Sequence, residues 1–190
     1  RLAVGDLAGA RSAIERLPAG RVQPYLEGCI AYAAGTLDVA AAKFQAALGS
    51  PDNGAALLGQ AACLLRAGDW QKAYSALLSV VDQEPLLRHR ACTGLALLFL
   101  RIGQLDNTIV WIDRALEADP QDPYAYYLRG RALRLQGQLG PSSEALGQAL
   151  KLRDDFVHAI AEMAALQAQR AMEGGGEEQA HAAVAAHRYS

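Results

Sequence analysis

The 190 residues carry a formal net charge of −2, with 18 basic against 20 acidic side chains, and 52% are hydrophobic types. So even a charge balance gives no general attraction to nucleic acid or to an anionic membrane. No apolar run reaches the ~20 residues that span a bilayer, and no segment alternates apolar and polar residues over the length of a strand, so an all-α chain is expected.

The chain opens RLAVGDLAGA, on Arg and not Met, with no signal peptide visible, and passes directly into a helix. That helix falls within 1–18, with Ala10, Ile14 and Leu17 on one side and a turn at Pro18-Ala19-Gly20. Helices are then expected at 22–34 and 37–49, and, after the turn cluster Ser50 to Gly54, at 55–67 and 70–83. Beyond Pro85 they follow at 87–102 and 105–118, and beyond the Asp119–Pro123 turn at 124–136 and 141–153. The clearest is Gly103 to Pro120, where Leu105, Ile109, Ile112 and Leu116 recur at spacings of four, three and four. Asp106 suits the positive end of that helix, and Pro120 ends it. Past Asp155, a helix over 156–172 presents Phe156, Ile160, Met163 and Leu166 on one face. The run Glu173 to Glu177, with Gly174–Gly176 at its centre, is expected to be a linker before a weak final helix over 177–188.

These elements repeat. Gly35, Gly68, Gly103 and Gly137 are spaced 33, 35 and 34 apart. Each is preceded, seven positions back, by a small residue: Gly28, Ala61, Ala96 and Gly130. A small side chain there lets two antiparallel helices pack closely, so the unit is helix, turn at Gly, helix, turn at Pro. On these residues, with Ala40, Phe44 and Ala47, then Ala73 and Pro85, then Ala115 and Pro120, and finally Ala149, the chain resembles the tetratricopeptide repeat family. Thr108 and Ser142 stand where the family has alanine near the start of the second helix. The resemblance implies a single α-solenoid over 1–190, a right-handed superhelix without strands. Its repeats fall at about 1–18 (partial), 21–53, 54–87, 88–121, 122–155 and 156–190 (degenerate, capping).

In that family the first helices line a concave groove. Carried onto this chain, the groove holds Tyr25 and Cys29; then Gly59, Ala62 and Arg66; then Arg90, Gly94, Leu97 and Arg101; then Tyr124, Tyr127 and Arg131. The candidate peptide-binding residues are Arg66, Arg90, Leu97, Arg101, Tyr124, Tyr127 and Arg131. Small residues open space there, tyrosines give rigid contact area, and arginines fork onto carboxylates. None of these positions is Asn or Lys, so the clamp with which some family members grip chaperone C-termini is not expected.

Little else points to chemistry. Cys29, Cys63 and Cys92 are too far apart for a local metal motif and read as reduced, buried thiols of a cytoplasmic protein. The four histidines lie on different elements with no nucleophile pattern beside them. No glycine-rich loop follows a strand, so no cofactor is called for. Trp111, beside the Ile109–Ile112 stripe, is either a packing residue or an exposed contact. Positions Cys29, Ala62, Leu97 and Arg131 share no chemistry that could read RNA bases. The expected function is a non-enzymatic scaffold for a protein or peptide, with apolar and acidic side chains in the ligand. The alternative is an architectural segment of a larger repeat protein, self-associating through its incomplete N-terminal end.

Overall fold

The computed structural model describes residues 7–16, 22–48 and 53–188, with side chains in the helices except at 15 and 174–188. The Pro18–Gly20 turn, positions 50–52 and the first six residues, including the expected N-terminal end, lie outside it. Ten α-helices are described: α1 (Leu7–Glu15), α2 (Val22–Ala33), α3 (Leu37–Ala47), α4 (Asn53–Ala67), α5 (Trp70–Gln83), α6 (Arg88–Arg101), α7 (Leu105–Ala118), α8 (Pro123–Leu135), α9 (Leu139–Leu152) and α10 (Val157–Arg188). One 3-10 turn, Pro85–Leu87, leads into α6. There is no strand among the described residues. This is the all-α solenoid that the repeat pattern implies.

The chain divides into two compact units, Arg1–Ile102 and Gly103–Ser190. In the first, α1 packs on α2, α3 on both α2 and α4, and α5 on both α4 and α6. The first helices α2, α4 and α6 also touch in sequence, so they form one layer. In the second unit α8 packs on α7, α9 and α10, and α9 also packs on α10.

Chain reversal rests on four glycines. Gly35, Gly68, Gly103 and Gly137 have φ of 81°, 81°, 78° and 77°, and they are the only positive φ values among the described residues. That left-handed conformation after a helix lets the next amide reach back across the last turn. Thr36 N–H donates to Ala31 O at 3.0 Å, Asp69 N–H to Leu64 O at 3.0 Å, and Gln138 N–H to Leu133 O at 2.9 Å. The following helices start on a cap where one is available: the Asp69 carboxylate accepts from Lys72 N–H and the Asp122 carboxylate from Tyr124 N–H.

Helix spacing rests on the small residues. A Cβ on Gly28 would lie 2.8 Å from the Phe44 ring, and one on Gly59 would lie 2.5 Å from it. Phe44, on α3, is thus wedged between α2 of its own hairpin and α4 of the next repeat. One repeat later a Cβ on Gly94 would lie 2.8 Å from Leu77, and in the second unit one on Gly130 would lie 2.6 Å from Leu146. Gly59 and Gly94 therefore do not open groove space, as their place in the groove stripe implies; their faces are occupied by second-helix side chains. The two departures from alanine are both buried and satisfied. Thr108 Oγ1 donates to Gln104 O at 2.9 Å and Ser142 Oγ to Gly130 O at 2.7 Å.

Two expected faces are corrected. In α7 the buried residues are Thr108, Trp111, Ile112 and Ala115, while Leu105, Ile109 and Leu116 flank them half-buried. The core centre here is small and partly polar, so apolar spacing alone puts it off by part of a turn. Trp111 is buried, with the Arg114 guanidinium 4.5 Å above its ring, and is a packing residue. Of the face expected over 156–172, Phe156 (just before α10) and Leu166 are buried, but Met163 is half-buried and Ile160 is 49% exposed, and Ala159 and Glu162 are buried in their place. The linker at 173–177 is also not formed: α10 is continuous to Arg188. Each glycine lowers helix propensity by ~1 kcal/mol, about 3 kcal/mol for Gly174–Gly176 together, which disfavours the helix without forbidding it.

Replacing Gly137 by Ala is expected to cost about 1–2 kcal/mol in chemical denaturation, from backbone strain alone, since a Cβ there meets nothing within 4 Å. Replacing Gly147, inside α9 and equally open, is expected to stabilise by up to ~1 kcal/mol. Equal effects at the two positions would contradict this account.

Candidate functional site

In the first unit the exposed side of the first helices carries arginine but almost no acid. α4 and α6 contain no Asp or Glu, and α2 contains only Glu27. Glu27 is bound to Lys43 of α3 at 2.5 Å, and that hydrogen bond, more than anything else, holds its carboxyl below the ordinary range.

The α2–α4–α6 layer is assembled from Tyr25, Cys29, Ala62, Arg66, Arg90 and Leu97. The Tyr25 ring sits 5.8 Å from Phe44, with its hydroxyl against the Cys29 thiol. Burial first, and then Cys29, push the Tyr25 hydroxyl above its ordinary pKa, while the Arg90 guanidinium pulls it down. Burial likewise raises the thiols of Cys29 and Cys63, which favours the neutral form of both.

Arg66 is exposed but engaged. Its Nη1 donates to Tyr32 O at 3.1 Å, and its guanidinium lies 5.0 Å over the Tyr32 ring. That carbonyl belongs to the last turn of α2, where a cation also suits the helix dipole. Arg90 and Arg101 are exposed and have no carboxylate partner among the described residues. Leu97, between them on α6, is half-buried. The sequence-level candidates Arg90, Leu97 and Arg101 thus make one basic and apolar surface.

The second unit treats its candidates differently. Tyr127 is only 5% exposed, packed in an aromatic cluster with Tyr124 at 5.5 Å, Phe156 at 5.6 Å and His158 at 5.8 Å between ring centroids. Arg153 closes that cluster, 4.3 Å over Phe156. Arg131 Nη1 donates to Tyr127 Oη at 3.1 Å, and this bond is the main reason its guanidinium is held above its ordinary pKa. Tyr124 is half-buried and Arg131 is exposed, so only part of this set faces outward.

The residue that ties the set together is Glu162 of α10, 9% exposed. Arg134 Nε donates to it at 2.6 Å, and Arg131 Nε lies 3.9 Å from its other oxygen. Arg134 also reaches Gln169 Oε1 at 3.3 Å, and Arg170 caps Leu139 O at 2.9 Å. Sequence reasoning missed Glu162, although a signal exists. The 34-residue register puts it where α8 has the buried Leu128. An acid at a core position requires cations on the facing helix, and Arg131 and Arg134 stand there three apart.

Among the described residues no three His, Cys, Asp and Glu side chains cluster closely enough to hold a metal ion, and no described helix is long and apolar enough to cross a membrane.

Residues 25–86 and 64–123 match one tetratricopeptide repeat family model, and residues 111–140 match another. No curated protein sequence matches the chain. Among solved structures, the chain is similar to TTC0263, a thermophilic TPR protein in Thermus thermophilus, with 22% identity and a TM-score of 0.73 over 80% of this chain and 83% of that one. It is similar to MamA (41-end) from Desulfovibrio magneticus RS-1, with 21% identity and a TM-score of 0.59 over 93% and 92%. It is also similar to YrrB, described as a TPR protein with an unusual peptide-binding site, with 20% identity and a TM-score of 0.57 over 82% and 80%.

Replacing Glu162 by Ala leaves Arg134 facing a low-polarity contact without its carboxylate, and is expected to cost on the order of 3 kcal/mol in urea denaturation. Replacing the exposed Ile160 is expected to change stability by no more than ~0.5 kcal/mol. The reverse ranking would restore the apolar stripe as the buried face.

Proposed function

The chain belongs to the tetratricopeptide repeat family, and from that membership we propose that it is a non-enzymatic scaffold whose first-helix layer binds a peptide bearing acidic and apolar side chains. The observation that carries this reading is the charge of the first unit's layer. Arg90 and Arg101 of α6 have no carboxylate partner among the described residues, and neither α6 nor the neighbouring α4 contains an acidic residue. A guanidinium forks onto a carboxylate with two parallel hydrogen bonds, and Leu97 beside it offers apolar contact. A basic ligand would meet like charge, which specifies against it. Tyr124 and Arg131 form a second, weaker set in the other unit, because Arg131 already bonds Tyr127.

A second reading is architectural. The outward side of α10 exposes Val157, Ile160 and Met172, and such apolar surface favours association with another helix or copy. Measuring mass in solution across concentration separates it from the scaffold: a monomer at all concentrations goes against it.

Selection from a random peptide library should enrich sequences that combine Asp or Glu with Leu, Ile or Phe. For an enriched peptide, Arg90→Glu and Arg101→Glu should each weaken binding by ~1–2 kcal/mol or more, with circular dichroism unchanged. Arg131→Ala should have a smaller effect. Enrichment of basic peptides, or affinity indifferent to both charge reversals, would move the site elsewhere.

A further inference from the structure

Helices α1, α2 and α3 of the first unit, with the turn at Thr36, border an open cavity of about 410 Å³. Its α2 residues, Glu27, Ile30 and Ala31, lie on the opposite side of that helix from Tyr25, Cys29 and Tyr32. The cavity is therefore distinct from the first-helix layer. Its volume falls in the ~300–1,000 Å³ range of small-molecule sites.

The interior is apolar. Ile14 of α1 and Ile30 and Ala31 of α2 are buried, and Val39 of α3 forms a wall that is 51% exposed. The polar groups at the rim are accounted for with one exception. Lys43 is neutralised by Glu27 at 2.5 Å, and the Thr36 hydroxyl donates to Ala31 O at 3.0 Å. Arg11, on α1, lines the cavity and is exposed, with no carboxylate or hydrogen-bond acceptor among the described residues. The result is an apolar floor with a polar rim on which Arg11 is, among the described residues, the one cation without a partner.

We infer that this cavity binds an amphipathic monocarboxylate, its acyl chain among Ile14, Ile30 and Val39 and its carboxylate on the Arg11 guanidinium. An alcohol of the same length would fill the chamber but leave the guanidinium without its charged partner. An amine would set a second cation against Arg11, and a dianion would bring a surplus negative charge towards Glu27. A ligand with charge along its body would bury that charge unpaired. This assignment does not rest on peptide binding at the first-helix layer and stands or falls separately from it.

The test is calorimetric titration with decanoate, decanol and decylammonium, each below its self-association range, alongside nuclear Overhauser contacts from the decanoate chain. Decanoate is expected to saturate one site and to show contacts to the Ile14 and Ile30 methyls. Arg11→Ala should weaken it about tenfold or more, the loss of a charge-assisted hydrogen bond. Val39→Trp should abolish binding by filling the mouth from a half-exposed position, and Lys72→Ala, whose ammonium pairs with Asp69 away from the cavity, should leave it unchanged. Absence of saturable decanoate binding overturns the assignment. So do equal uptake of decanol or decylammonium, contacts confined to other methyls, or full affinity in Arg11→Ala.

Discussion

The close approach of helices at residues without bulk is the constraint on which the rest depends. Phe44 can insert between α2 and α4 only because both neighbours, Gly28 and Gly59, present bare backbone. Leu77 stands in the same relation to Gly94 of the next repeat, and Leu146 to Gly130 of its own hairpin. Second-helix side chains thereby close the α2–α3 and α8–α9 hairpins and, in the first unit, join α3 to α4 and α5 to α6. The energy is ordinary burial and dispersion, but it is available only at this spacing, since interiors are close-packed and a single methyl in the way is felt. The same spacing brings α2, α4 and α6 edge to edge in one layer.

On this frame arginine is more fully engaged in the second unit than in the first. In the second, Arg131, Arg134 and Arg170 are taken up by Tyr127, Glu162, Gln169 and the Leu139 carbonyl. Taking a carboxylate such as Glu162 out of water is costly, and it is tolerated because two guanidinium groups converge on it. The outcome is a firm seat for α10 on α8. In the first unit Arg88 of α6 donates to the Val81 carbonyl at 3.2 Å, whereas Arg90 and Arg101 of the same helix have no such partner among the described residues. Unpaired and structurally engaged guanidinium groups are thus made from one residue type, and the difference lies in whether an acceptor stands on the facing helix.

The second helices show how far the repeat pattern can bend. Ala40, Ala73, Thr108 and Ser142 occupy one register position and all are fully buried. Two of them carry hydroxyls, each hydroxyl donates to a backbone carbonyl within reach, and no buried side-chain N or O atom is left unpaired among the described residues. An alanine-to-serine departure is therefore a conservative change here, because the repeat's own backbone supplies the acceptor.

Much of this protein was legible without coordinates. The glycines at 35, 68, 103 and 137 announce left-handed turns, and the small residues seven positions earlier announce close helix contact. Both are local or periodic properties, since a backbone angle that excludes Cβ and a 34-residue recurrence are written along the chain. Which side of α10 is buried was not legible, because Ile160 and Glu162 are ranked wrongly by hydrophobicity; the order reverses only when Arg131 and Arg134 arrive on the neighbouring helix. Nor could the sequence tell Tyr127, sealed under Phe156 and His158, from a groove contact, or tell committed arginines from uncommitted ones. Those are properties of pairs distant along the chain, and a side chain's exposure and charge balance depend on what the tertiary structure sets against it.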